Sequence, residues 1–235
     1  MSRLAVLGYH KIGPPAPGGW ETWFYVSAPV FAEQLATVRD CGWDFIGADA
    51  LRASVRGDGA LPARAALVTF DDGYRSALEH ALPVLREHAC PAVLFVPTAY
   101  VAGTNTFDPD EPVEPICDWP ALNALAQAGV AVQSHGVSHR TFSSLTSGER
   151  REELARSKAV LEEQVRRPVD LFAFPYGDDA DGSGDVGEAL REAGYAAAFG
   201  YGGDPQQVPV ADRFRIQRVA MGPDTDLRSL LGAPA

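Results

Sequence analysis

The chain has 235 residues, 46% of them hydrophobic and 22% charged, and its 20 Lys+Arg against 31 Asp+Glu give a formal charge of −11. A composition this apolar can bury a sizeable core, which excludes a mostly disordered or fibrous chain, and the negative charge argues against nucleic acid or an acidic membrane surface as partner. Three scattered cysteines, Cys41, Cys90 and Cys117, exclude a disulfide framework and a thiolate zinc site.

The length fits one domain over residues 1–235. Leu4 to Tyr9 reads as the first strand, and His10 and Lys11 interrupt its apolar run too early for a signal sequence or a membrane span. The chain as given therefore reads as cytoplasmic and without membrane insertion; one trimmed of a leader, and so extracytoplasmic, would look the same.

Phe31, Leu35 and Val38 follow a Ser27-Ala28-Pro29 start signal and predict a helix ending near Gly42. Strand Ala65 to Phe70 comes next, then a helical face of Leu78, Leu82 and Leu85 with Pro83 as an irregularity. Ala92 to Val96 is a strand, Leu122 and Leu125 mark a short helix ended by Gly129, and Val130 to Gln133 is a buried strand. Thr146 and Glu149 form a capping box that opens a charged helix with Leu154, Leu161 and Val165 on its apolar face. Leu171 to Phe174 is a strand, Val186 to Ala193 a helix, Ala196 to Phe199 a strand, and Phe214 to Val219 the last strand.

Such alternation predicts a parallel sheet covered by helices, either a barrel or a doubly wound layer, with the active site beyond the C-terminal ends of the strands. Segments 13–23, 103–115 and 178–187 read as surface loops. The acidic stretch from Asp178 to Asp181 reads as solvated, as does the charged face of the helix following Thr146, and neither is given a function.

Four clusters at strand ends carry chemistry. Thr69-Phe70-Asp71-Asp72-Gly73 sets two carboxylates side by side, and because side chains alternate along a strand, one can hold a metal while the other stays free as a base. His135-Gly136-Val137-Ser138-His139 offers two imidazoles, but with Gly136 after the first it lacks the glutamate of zinc proteases. Two imidazoles and a carboxylate suit zinc or a similar divalent ion, with cobalt and nickel as alternatives, and leave positions open for water and substrate. Phe174-Pro175-Tyr176-Gly177 reads as a turn that exposes the Tyr176 N–H to an oxyanion. His10, after the first strand, can protonate a leaving amine at neutral pH.

In order and spacing these motifs resemble the polysaccharide deacetylases of carbohydrate esterase family four, over roughly Leu4 to Val219. The resemblance implies a distorted (β/α) barrel of fewer than eight parallel strands and metal-dependent removal of N-acetyl or O-acetyl groups from sugars. It makes Asp71 the general base, Asp72, His135 and His139 the metal ligands, and Tyr176 an oxyanion donor through its main chain. Most members carry an arginine where this chain has Ala173 and take their acid histidine from the C-terminal part, yet no histidine follows His139. The Tyr9-His10 pair is similar to the branch of poly-N-acetylglucosamine deacetylases with permuted motifs, which implies His10 as the acid. Arg218, on the last strand, is the candidate to orient the base in place of the missing arginine.

Pro175, Tyr176 and Trp119 are candidates to bind the sugar, and Trp20, Trp23, Phe24 and Tyr25 could form a groove wall. The expected partner is an acetylated sugar, with a small amide or acetylated metabolite and a non-catalytic sugar-binding module as rivals. Oligomeric state is open, and His80 and His88 have no assigned role.

Overall fold

A computed structural model describes residues 2–180 and 184–233. Its strands are β1 (Ser2–Tyr9), β2 (Lys11–Ile12), β3 (Tyr25–Val26), β4 (Asp44–Phe45), β5 (Arg64–Phe70), β6 (Ala92–Val96), β7 (Val130–Ser134), β8 (Leu171–Ala173), β9 (Ala197–Phe199), β10 (Gln206–Val208) and β11 (Val219–Ala220). The helices are α1 (Ala28–Asp40), α2 (Ala48–Arg56), α3 (Leu82–Glu87), α4 (Trp119–Gln127), α5 (Ser147–Val165), α6 (Val186–Glu192) and α7 (Leu227–Leu231).

The main sheet runs β10-β1-β5-β6-β7-β8-β9, and every neighbour pair is parallel except β10 with β1. Strands β5 and β6 are buried over nearly their whole length because side chains on both faces pack inward. Alternate residues enter different clusters: Leu7, Val68 and Leu94 pack under the helices, while Val6, Leu67 and Phe95 fill the concave side with Phe199 and Ile216. The curled sheet is thus a distorted barrel with a packed interior.

Closure comes from the chain after β10. Ile216 bridges Phe199 of β9, and three residues later Val219 pairs with Leu7 of β1. The expected strand Phe214 to Val219 is therefore shorter and later, because this segment crosses from one edge of the sheet to the other instead of following either. Arg218 lies in that crossing.

The helix expected through Leu78, Leu82 and Leu85 is divided into a π turn at Ala77–Ala81 and α3. Pro83 has no N–H to give and its ring crowds the carbonyl four residues back, so the preceding turn widens. Helix α2, not among the expected elements, buries Ala48 and Leu51 and packs Val55 against the same cluster. At α5 the capping box forms as expected, with Thr146 N–H donating to Glu149 Oε2 at 2.8 Å and Glu149 N–H returning to Thr146 Oγ1 at 3.3 Å. Among the described residues no helix is long and apolar enough to cross a membrane.

Candidate active site

The C-terminal ends of β1, β5, β7, β8 and β9 meet around a cleft of about 300 Å³, lined by His10, Asp71, Asp72, His135, His139 and Tyr176, with Tyr201 and residues 108–111 completing it. Chain direction in a parallel sheet is the cause: each strand delivers its next polar residue to the same rim.

Asp71 and Asp72 diverge as alternation requires. Asp71 continues the line of β5, its N–H donating to Tyr9 O at 3.0 Å. Asp72 departs from it with a left-handed backbone, φ 69°. His139 and Tyr176 share that conformation at φ 54° and 57°. Non-glycine residues held there cost of order 1–3 kcal/mol each, and such positions gather at functional sites.

The Asp71 carboxylate receives two hydrogen bonds from Arg218, Nη1 to Oδ1 at 2.6 Å and Nη2 to Oδ2 at 2.7 Å. Arg218 is fully buried, and its Nε donates to Gly200 O at 2.7 Å. Burial pushes Asp71 upward, but the Arg218 guanidinium beside it, through its charge and hydrogen bonds, leads the opposing influences and holds the carboxyl below its ordinary value. His10 Nε2 lies 4.0 Å from Asp71 Oδ2. Its ring faces the cleft, inclined to Phe24 with centroids 4.7 Å apart and edge-on to Tyr201 at 5.2 Å. Burial lowers the imidazole below its ordinary value, against the pull of Asp72 and Asp71.

Asp72, His135 and His139 bring one ligand atom each to within 4.8 Å of one another. Asp72 Oδ1 stands 3.3 Å from His135 Nε2 and 3.0 Å from His139 Nε2, yet it forms no well-directed hydrogen bond, and His139 Nδ1 is buried without one as well. His135 Nδ1 pairs with Ala173 O at 2.7 Å, so that nitrogen carries the proton and Nε2 presents a lone pair. Three donor atoms turned toward a common point instead of toward hydrogen-bond partners fit a divalent cation. Burial pushes Asp72 up, but the adjoining His139 imidazole leads the opposing influences and holds it well below the carboxylate range.

At the β8 end, Pro175 starts a single helical turn that Tyr176 breaks. Gly177 and Asp178 N–H groups fold back onto Phe174 and Pro175 carbonyls, whereas the Tyr176 N–H makes no such bond among the described residues. The Tyr176 hydroxyl donates to Asp108 Oδ1 at 2.8 Å and to Phe107 O at 3.2 Å. Pro175 itself is buried behind the turn.

Trp119 is not part of this cleft: as the first residue of α4 it packs against the main core, where its apolar area is better covered than at an open rim. Of the first-loop aromatics only Phe24 lines the cleft. Trp20 and Trp23 are exposed, and Tyr25 is buried with its hydroxyl on Glu114. The segment 103–115, expected as a plain surface loop, folds over the cleft. Lys11 Nζ to Glu111 at 2.6 Å and Ala16 N–H to Glu114 at 2.7 Å tie it there. Its Asp108 has no local sequence signal, but Tyr201 follows a strand and could have been found by the same strand-end rule. In the acidic stretch, Asp178 accepts from Ser143 and Ala180, Asp179 pairs with Arg215, and Asp181 lies outside the described residues.

The chain belongs to the polysaccharide deacetylase family, whose signature covers residues 58–198. It is 22% identical over 176 residues to the Bacillus subtilis (strain 168) protein YxkH, covering 75% of this chain. It is 27% identical over 229 residues to poly-beta-1,6-N-acetyl-D-glucosamine N-deacetylase of Escherichia coli (strain K12), covering 83% of this chain. The chain spans 57% and 33% of the lengths of these two relatives. Among solved structures, IcaB from Ammonifex degensii superposes with a TM-score of 0.78 at 27% identity, over 95% of this chain and 94% of that one.

Proposed function

We propose that this chain is a metal-dependent hydrolase that removes N-acetyl groups from a sugar, in the manner named for its Escherichia coli relative. The observation that carries the reading is the split carboxylate pair: Asp71 is engaged by Arg218 while Asp72 converges with His135 and His139, and both open on one cleft with His10.

Asp72, His135 and His139 would hold the divalent ion, zinc being the first candidate for this donor set. Such an ion, when bound, polarises the acetyl carbonyl and acidifies water. Asp71, kept ionised by Arg218, accepts the proton of the attacking water. The Tyr176 N–H donates to the oxygen on which charge develops. His10, whose ring lines the cleft with Nε2 4.0 Å from Asp71, protonates the departing amine.

The test measures acetate released from N-acetylated oligosaccharides, O-acetylated sugars, acetylated monosaccharides and small amides. Asp71→Asn is expected to retain metal and lose turnover by about 10²–10⁴-fold, whereas Asp72→Asn, His135→Ala and His139→Ala lose the metal. Near-normal turnover in Asp71→Asn sinks the mechanism. Preference for small amides moves the substrate assignment, and chelator-insensitive acetate release removes the metal from the reaction.

A further inference from the structure

The two histidines are held in different ways. His135 is fixed by its own ring, through Nδ1 and Ala173 O, but His139 Nδ1 has no hydrogen-bond partner. The His139 ring packs against Phe107 and Tyr176, with centroids 3.9 and 4.6 Å away, and its position is set from behind by the backbone leading to it, the turn 136–138, and by the left-handed φ of 54° at His139 itself.

Every peptide group of that turn has a partner. On one side, the carbonyls of Gly136 and Val137 accept from Thr98 and Ala99 N–H at 3.0 Å each, and Ser138 O accepts from the Tyr100 hydroxyl at 3.4 Å. On the other side, Gly136 N–H donates to Ser134 Oγ at 3.2 Å. The two remaining N–H groups, of Val137 and Ser138, both donate to Glu153 Oε2 at 2.6 and 3.0 Å, and the Ser138 hydroxyl donates to Glu153 Oε1 at 2.6 Å. Successive N–H groups curled around one carboxylate form an anion nest, here filled by a side chain of the chain itself. Glu153 fits so closely that a Cβ on Gly136 would stand 2.9 Å from Oε2.

The helix that brings Glu153 is rigidly seated. Leu154 and Leu161 of α5 are fully buried, and Ser157, one turn after Glu153, meets Ser134 at 2.7 Å. A carboxylate making three charge-assisted bonds from a packed helix holds a turn far more stiffly than water does.

We propose that Glu153 is a positioning residue of the metal site, its carboxylate fixing the 136–138 turn that directs His139 toward Asp72. This rests on the reading of Asp72, His135 and His139 as metal ligands. It gives a role to a residue of the charged helix, on which Glu152 and Arg156 form a solvated ion pair.

The experiment titrates zinc into metal-free protein against a chromogenic chelator and records the melting temperature of the same metal-free samples. Glu153→Gln, which keeps the shape but presents an amide to the donors, is expected to bind zinc about 10–100-fold more weakly. Glu152→Gln is expected to match the wild type. Ser138→Ala, which deletes only the hydroxyl contact, gives a smaller loss in the same direction and serves if Glu153→Gln fails to fold. Wild-type zinc affinity in either variant, with or without a lower melting temperature, overturns the proposal, since a merely structural glutamate moves only stability. Asp72→Asn separates the premise: if it binds zinc as the wild type does, the site itself is misassigned.

Discussion

Replacing Arg218 by methionine keeps most of the side-chain volume and removes the charge. It leaves the Asp71 carboxylate, with 4% of its side chain exposed, buried beside a site from which its bidentate partner has gone. Breaking a buried pair from one side costs about 3–5 kcal/mol. For a chain of this size that is a fall in melting temperature of roughly 6–20 °C. The variant also changes the pH response. In the wild type Asp71 titrates below its unfolded value, so its contribution is present above that value and fades as pH falls through the folded pKa. In Arg218→Met, burial, the largest influence on Asp71, loses its main opponent, and the folded pKa moves upward from its wild-type position. The deficit is then largest at neutral pH and shrinks on acidification. The acid limb of kcat/KM moves upward in pH, because Asp71 accepts a proton only when ionised. Calorimetry across pH and a pH–rate profile measure both effects. Adding Asp71→Asn to Arg218→Met should recover part of the lost stability, since no charge remains unpaired. A melting temperature within about 2 °C of wild type at neutral pH, which is under 1 kcal/mol, together with an unmoved acid limb would refute the argument.

Gly177 tests the oxyanion turn. Its φ is +70°, and a Cβ there would lie 2.8 Å from both the backbone nitrogen and Cβ of Tyr201, so Gly177→Ala must displace one strand end against the other. Moving the adjoining Tyr176 N–H should lower kcat by up to about 10²–10³-fold with metal content unchanged, as steady-state kinetics and metal analysis would record; kcat near wild type would mean that this N–H does not serve the reaction. Tyr176→Phe should be mild by comparison, because the N–H stays and only the hydroxyl bonds to Asp108 and Phe107 are lost. With the side chain half exposed, about 0.5–1.5 kcal/mol is at stake, expected in KM through the 103–115 segment and not in kcat; a collapse of kcat would assign the ring or hydroxyl a direct part in the chemistry.

What could be read from the sequence follows the range over which each interaction acts. His10, Asp71, Asp72 and His135 stand at or next to the ends of apolar strands, and Tyr176 and His139 follow within one short turn; a parallel sheet gathers such strand ends at one rim. Arg218 was legible in the same way: a last strand near the first places its side chain beside β5, and the bridge from Phe199 to Ile216 with the pairing of Leu7 and Val219 supplies that proximity. Trp119 misled because an aromatic before a helix has the same local pattern whether it faces a groove or a core, and the difference depends on how α4 docks. Asp108 and Glu153 were out of reach for another reason. Asp108 arrives through a segment whose path is set by ion pairs to Lys11 and hydrogen bonds to Tyr25 and Ala16, some hundred residues away. Glu153 is one of several glutamates on a charged helix, and the docking of α5 through Leu154, Leu161 and Ser157 turns that one toward the histidine turn. The residues proposed to meet substrate or ion thus sit at strand ends that local pattern marks, while the groups that hold them still depend on tertiary contacts with no local signature.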